Sequence, residues 1–184
     1  MFSGDKNNFE KDFGYANKLS ENMLPILNSK LKHGSCVQTE HLNEKVARLL
    51  DKKSGIDGIY LSGSGVGGLA IRTQQYKNKN WKTFTIRYSR STGTETEYSK
   101  RLKSIISGNE FYPHYTCQAY YNDNLELIGG AFVFTVDLYG IAQKYEPFDK
   151  KLNVYVQDNY NDGNTFIVVP FNEFDKHKLP ILKF

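Results

Sequence analysis

The feature that most constrains the fold is a glycine-rich stretch between two apolar segments, DGIYLSGSGVGGLAIRTQ at residues 57–74. Its GSGVGG matches G-x-G-x-x-G, a motif that binds the pyrophosphate of a dinucleotide when the glycines open a helix. Here the glycines lead into LAIRTQ, which alternates like a strand, and the acidic residue expected about 20 positions later is missing. We therefore interpret the glycines as a hairpin connection, where glycine tolerates positive φ.

The composition predicts one domain with a packed core. The chain has 184 residues, of which 39% are hydrophobic and 14% aromatic, so a disordered protein is excluded. No apolar run approaches the roughly 18 residues that span a membrane, and the first residues lack an apolar signal core. Cys36 and Cys117 have no CxxC spacing, which argues against a zinc site or a disulfide framework. We expect a cytoplasmic protein without membrane association.

The positive charge is concentrated in one segment. The net charge is +4, but the segment from Arg72 to Lys103 holds nine Lys or Arg and only two Glu, which makes it +7. The rest of the chain is therefore −3. A basic segment on an acidic body indicates a polyanion site, although a solvated basic face gives the same pattern.

Hydrophobic periodicity predicts the order helix, three strands, helix, strands. Helical spacing covers Phe9–Lys32, Thr39–Lys52, Thr94–Ile106 and Val136–Tyr145. The helix predicted at Thr94–Ile106 has cap residues at its start, TGTETEY, and Gly108 follows its end. Strand patterns cover Ile56–Leu61, Leu69–Gln74, Thr83–Tyr88, Tyr115–Tyr121, Leu127–Thr135, Val154–Gln157 and Thr165–Phe171.

The hairpin interpretation suggests a chemistry. Asp57 opens the first strand, and Arg72 and Gln74 lie two residues apart on the second, so their side chains point to the same face. A carboxylate beside such a polar pair is typical of metal-dependent phosphodiesterases. In these enzymes the carboxylate holds Mg²⁺, which polarises the phosphate and activates water.

The segments SGIDGIY, AIRTQ and KTFTIRYSRSTGTETEYSKRL together resemble the restriction-endonuclease-like PD-(D/E)XK nuclease superfamily, over residues 9–121. They are similar to the branch with a GID strand followed by a Q-x-K strand, and to phage-encoded members with a TFTIR segment. The resemblance implies an α/β fold with a restriction-endonuclease-like core: helix, three-stranded mixed sheet, helix and strand. Residues 1–184 would form a single domain, in which residues 122–184 add further strands.

The resemblance also implies a phage-type endonuclease that hydrolyses DNA with Mg²⁺ or Mn²⁺, and homodimers are common where both DNA strands are cut. Asp57 matches the metal-binding aspartate of the first motif, and Glu21 or Glu44 would supply a carboxylate from the first helices. Gln74 would orient water or phosphate where the family has Lys. Arg72, which would stabilise the developing charge, falls where the family usually has Glu, Asp or Gln, and it cannot ligate a metal. Because residues 72–74 are R-T-Q, the alternative is a catalytically inactive protein that binds nucleic acid or a protein partner.

The basic segment supplies candidate phosphate contacts, namely Lys82, Arg87, Arg90, Lys100 and Arg101. Trp81 and Tyr88 would either stack on bases or belong to the core. STGTETE also resembles signatures of ADP-ribosyltransferases, but we interpret it as a helix cap.

Each candidate site residue also has a structural alternative. Asp57 can cap a turn after Gly55, Glu21 can be a solvated helix residue, Arg72 can pair with Glu95 or Glu97, and Gln74 can be an exposed strand residue.

Overall fold

The chain folds into a mixed α/β structure with two β-sheets and several helices. The computed structural model describes residues 19–39, 45–46, 50, 55–75, 82–108, 112–144, 154–159 and 163–184. No helix in these ranges is long and apolar enough to cross a membrane.

The larger sheet is mixed and has six strands. In spatial order they are β1 (Gly34–Gln38), β2 (Gly58–Ser62), β3 (Gly65–Gln75), β5 (Tyr115–Tyr121), β6 (Leu127–Phe134) and β9 (Ile181–Lys183). The first three form an antiparallel meander, β5 lies parallel to β3, and β6 and β9 continue the sheet in antiparallel pairs. Strand β1 is absent from the sequence-based prediction, whereas β2, β3, β5 and β6 are confirmed.

The β2–β3 hairpin confirms the interpretation of the glycine-rich stretch. Ser62 pairs with Gly65 across a turn at residues 63–64, and β3 then continues as a strand to Gln75. Glycine is also required at position 67, because a Cβ there would lie 2.7 Å from the ring of Tyr115. The glycines do not open a helix, so the dinucleotide-binding alternative is excluded.

The smaller sheet is antiparallel and contains β4 (Thr83–Ser89), β8 (Asn164–Pro170) and β7 (Tyr155–Asn159), in that order. The sequence correctly predicts these three segments to be strands. It places β4 wrongly, however, as the third strand of one core sheet with β2 and β3. The physical reason is that the apolar side chains of β4, Phe84 and Ile86, are buried against a strand from the C-terminal third.

The helices that the described ranges contain in full are α1 (residues 19–30), α2 (Glu97–Ser107), α3 (Thr135–Gln143) and α4 (Phe171–Lys176). Helix α2 has the caps that its sequence predicts, although it begins at Glu97 and not at Thr94. The Thr96 hydroxyl accepts a hydrogen bond from the Ser99 amide at its start, and Gly108 adopts φ 66° at its end. Of the predicted helix at Thr39–Lys52, the described residues Lys45, Val46 and Leu50 are helical.

Two hydrophobic clusters cover the two faces of the larger sheet. Successive side chains of a strand point to opposite faces, and β5 shows this: Tyr120 joins one cluster, while Ala119 and Tyr121 join the other. The first cluster fills the space between the two sheets and includes α3 and α4. The second lies under α1, which buries Met23 and Leu27 there.

Candidate functional site: a cationic cleft

Asp57 is fixed at the start of the β2–β3 hairpin. Its amide donates to the Leu69 carbonyl at 2.9 Å, and its Oδ2 accepts a hydrogen bond from the Ile71 amide at 2.7 Å. The carboxylate is therefore held against the neighbouring strand β3, and does not act as a local turn cap after Gly55. It is half-buried and lines a cleft of about 350 Å³.

Glu97, in the first turn of α2, organises the floor of this cleft. Its carboxylate accepts a hydrogen bond from Arg72 Nη2 on β3 and forms an ion pair with Arg101 Nη1 at 2.5 Å. Arg101 is four residues further along the same helix, where an acidic–basic pair meets on one face. The sequence allows Arg72 to pair with Glu95 or Glu97, and in the structure it pairs with Glu97.

The arginines determine the charge state of Glu97. Burial alone raises the pKa of this carboxyl, but the charges of Arg72 and Arg101 lower it by more, to about 2. The charge of Arg87 acts in the same direction. Glu97 is thus ionised at any physiological pH, and its oxygens are occupied by guanidinium groups.

Arg101 ties α2 to the hairpin. It is buried, with 8% of its surface exposed. Its Nη2 donates to the Gly55 carbonyl at 3.2 Å, just before Asp57. Burial by itself lowers the pKa of Arg101, but the negative charges of Glu97 and Asp57 raise it above its ordinary value. The sequence predicts that Arg101 contacts phosphate, and this prediction is wrong in that the side chain is buried. Arg101 is an internal cation that pairs with Glu97 and lies near Asp57.

Arg72 and Arg87 share one aromatic partner. Each guanidinium lies 5.7 Å from the ring centroid of Phe166 on β8, within the range of a cation–π interaction. Arg87 projects from β4 and Arg72 from β3, so the Phe166 ring, which lines the neighbouring cavity, connects the larger sheet to the smaller one beside the cleft. The two guanidinium groups are held in fixed directions as a result.

The mouth of the cleft carries more exposed cations. Arg90 and Lys100 are both exposed, and Arg90 Nη1 donates a long hydrogen bond of 3.5 Å to the Thr94 hydroxyl. Glu95 also lines the cleft, but its carboxylate pairs with Lys103 at 2.7 Å. The hydrogen bond from Lys103 lowers the pKa of Glu95.

The cleft as a whole is positive. Its charged lining residues are Arg72, Arg87, Arg90, Lys100, Arg101, Asp57, Glu95 and Glu97. The cleft thus contains five cations and three carboxylates, and one of these carboxylates, Glu97, is paired with Arg72 and Arg101. Such a site attracts anions.

The structure brings together most of the predicted site residues, with four exceptions. Gln74 lines a smaller neighbouring cavity that it shares with Arg72 and Gln118. Lys82 lines a separate cavity beside Phe184. Glu21 is exposed on α1, which packs on the opposite face of the larger sheet, and it does not line the cleft. Glu44 lies outside the described residues.

The described residues of the cleft do not assemble a group of metal ligands. Mg²⁺ binds oxygen ligands that include one or two carboxylates, but Glu97 is occupied by arginines and the predicted partner Glu21 is elsewhere. Among the described residues there is no group of three or more His, Cys, Asp or Glu that could hold a metal. The expected pairing of Asp57 with Glu21 is therefore not formed.

Two residues of the site were not predicted in their present roles. The sequence suggests Glu97 only as a possible partner of Arg72, although the i, i+4 spacing of Glu97 and Arg101 on a predicted helix indicates a second partner. Tyr112, which also lines the cleft, had no signal in the sequence, because it lies between α2 and β5 without a periodic pattern.

Comparisons of the chain with protein-family models, with curated proteins and with solved structures gave no match.

Proposed function

We propose that this protein binds nucleic acid, DNA in particular, by holding phosphates in the cationic cleft, and that it does so without metal-dependent cleavage. The observation that carries the proposal is the charge of the cleft, where five cations face three carboxylates. Phosphate contacts from Lys and Arg supply most of the affinity of proteins for nucleic acid.

The arrangement of the cations supports this function. Arg72 and Arg87 are oriented by Glu97 and by Phe166, so the floor of the cleft keeps its geometry when no ligand is bound. Arg90 and Lys100 are exposed at the mouth, where they can reach phosphates that pass over the cleft. Fixed arginines reduce the entropy that binding costs.

The strand order supports a nuclease-like ancestry. An antiparallel meander, β1 to β3, is followed by a crossover that contains α2 and by the parallel strand β5. The core that the resemblance implies has the order helix, three strands, helix and strand. In this protein its three strands would be β1, β2 and β3, instead of β2, β3 and β4 as the sequence predicts. In this interpretation the cleft is a former catalytic site, in which a cation, Arg72, stands where the family has a metal-binding acid.

A metal-dependent nuclease is the second candidate. It is favoured by one observation: Asp57, which matches the metal-binding aspartate of the family, lies in the same cleft as the cations. The described residues do not complete a metal site around it.

Binding and cleavage can be tested together. Fluorescence anisotropy with labelled DNA should show binding that is weakened by Arg90→Gln/Lys100→Gln. The matched control Lys30→Gln/Lys32→Gln removes two exposed cations near the end of α1, on the other face of the sheet, and should bind normally. Absence of binding, or equal losses in both variants, would overturn the proposal.

Incubation of the same DNA with Mg²⁺, Mn²⁺ or EDTA separates the two candidates. We expect no cleavage under any condition. Metal-dependent cleavage that is lost in Asp57→Ala would establish the nuclease instead.

A further inference from the structure

We infer that the preferred ligand of the cationic cleft is single-stranded nucleic acid, whose bases stack on an aromatic shelf beside the cleft. The shelf consists of Tyr112, His114 and Phe134. The inference rests on the proposed function and adds to it the form of the nucleic acid that is bound.

The shelf adjoins the cleft through a shared residue. Tyr112 lines the cationic cleft and also lines a second cavity of about 260 Å³, which contains His114 and Phe134. The cleft is lined by Ile86 and Leu138 of the first hydrophobic cluster, whereas Phe134 packs on Tyr115 of the second, on the other face of the larger sheet. A polymer with phosphates in the cleft would therefore reach the shelf by passing over Tyr112, just before β5. Charge and aromatic surface are then met in succession, as in grooves that bind single strands.

The rings of the shelf are stacked and partly exposed, so a nucleic-acid base can contact them. Tyr112 and His114 stack on each other with ring centroids 5.2 Å apart and an angle of 28° between their planes. His114 is exposed, and 41% of Phe134 is exposed although it is a large apolar residue at the end of β6. Exposed apolar surface next to a charged site indicates a binding surface.

The shelf is supported from below. Phe134 packs on Tyr115 at a centroid distance of 5.2 Å, and Tyr115 stacks in turn on Phe132. His114 Nδ1 accepts a hydrogen bond from the Gly68 amide at 3.2 Å, which fixes the orientation of its imidazole. Rigid rings lose little entropy when a base stacks on them.

A double helix does not suit this surface as well. Its bases are paired and stacked inside the duplex, so it presents phosphates to the cleft but no base faces to the shelf. A single strand presents both, and base–aromatic stacking contributes about 1–3 kcal/mol per base. The combination of cleft and shelf therefore favours the single strand.

The test compares three probes on the full chain: an oligothymidine, an abasic strand of the same length, and a duplex of the same length. We expect the oligothymidine to bind at least about fivefold more tightly than the abasic strand. Tyr112→Leu should lower the affinity for the oligothymidine by a larger factor than the affinity for the abasic strand, and so reduce this advantage. Tyr155→Leu is the matched control, because Tyr155 is 43% exposed on β7 in the smaller sheet, and it should change neither affinity.

A measurement on the unaltered protein covers the case in which Tyr112→Leu does not fold. A 2-aminopurine within the bound strand should lose fluorescence when its base stacks on the shelf. Equal affinities for oligothymidine and abasic strand, or unchanged 2-aminopurine fluorescence in the bound strand, would overturn the inference and leave the proposed function intact. If neither strand binds, the proposed function fails as well.

Discussion

At the scale of single residues, Glu97 decides what the cleft can bind. A carboxylate between two guanidinium groups is stable only because their charges offset the cost of burying it. With its oxygens occupied, Glu97 is a poor metal ligand but an effective anchor for Arg72 and Arg101. One acidic residue thus keeps two cations in place and leaves the cleft positive.

Replacing Glu97 with Gln should lower the free energy of unfolding by about 3 kcal/mol near neutral pH. The substitution leaves Arg72 and Arg101 to repel each other. The pKa of Glu97 in the folded protein, about 2, lies below its ordinary value of 4.5. Its contribution is therefore complete above pH 4.5 and is lost as the pH falls through about 2. Urea unfolding of both proteins over this range should show their difference shrinking as the acid increases.

Glu95→Gln is the matched control for this prediction. Glu95 also pairs with a basic residue near the start of α2, but its partner Lys103 is well exposed. Exposed ion pairs contribute little to stability, so the control should unfold nearly like the unaltered protein. Equal destabilisation in the two variants would show that Glu97 is not the anchor of the arginines.

The cysteines are expected to be chemically inert in the folded protein. Burial raises the pKa of the Cys36 thiol to about 12, and burial also raises the pKa of Cys117. Because the thiolate is the reactive form, a disulfide-exchange reagent at mildly alkaline pH should label both thiols slowly in buffer and rapidly in urea. Rapid labelling of both in buffer would contradict the buried positions.

At the scale of elements, α2 carries the site because its first turn bears Glu97 and the following turn bears Lys100 and Arg101. Its position depends on the cap. Thr96 is 5% exposed, and its Oγ1 accepts a hydrogen bond from the Ser99 amide at 3.3 Å. The cap sets the residue at which the helix begins, and so the direction in which Glu97 points.

Thr96→Ala should lower the free energy of unfolding by about 1 kcal/mol, the usual effect of losing an N-cap hydroxyl. Thermal or urea unfolding measures the change. Thr94→Ala provides the comparison, because Thr94 is exposed and lies before the cap. A cap contribution is refuted if the two substitutions destabilise the protein equally.

Local patterns were sufficient for these elements and insufficient for the sheets. Thr96 and Gly108 mark both ends of α2 in the sequence, and the glycine-rich turn marks the β2–β3 hairpin. The pairing of β4 with β8 depends on contacts between distant segments, about which periodicity carries no information. For the same reason the sequence identified Arg101 as a cation but not as a buried one, since its burial follows from the contact of α2 with Gly55.

At the scale of the whole molecule, the positive charge of residues 72–103 is divided between two roles. Arg72 and Arg101 are paired with Glu97 inside the protein, whereas Arg90 and Lys100 face solvent at the mouth of the cleft. Counting charges along the chain cannot separate these roles. The fold decides between these roles, because the exposed cations exchange solvent counterions for phosphates, whereas Arg72 and Arg101 already have Glu97 as their counterion.

This division predicts how binding depends on salt. For duplex DNA, the slope of log K against log salt concentration falls by about 0.9 for each phosphate contact that is lost. Arg90→Gln/Lys100→Gln should therefore make the slope shallower by about two, whereas Lys30→Gln/Lys32→Gln should leave it unchanged. Anisotropy titrations at several salt concentrations give the slopes. A slope that Arg90→Gln/Lys100→Gln does not change would mean that phosphates bind elsewhere, since removal of two cations that contact the ligand must release fewer counterions.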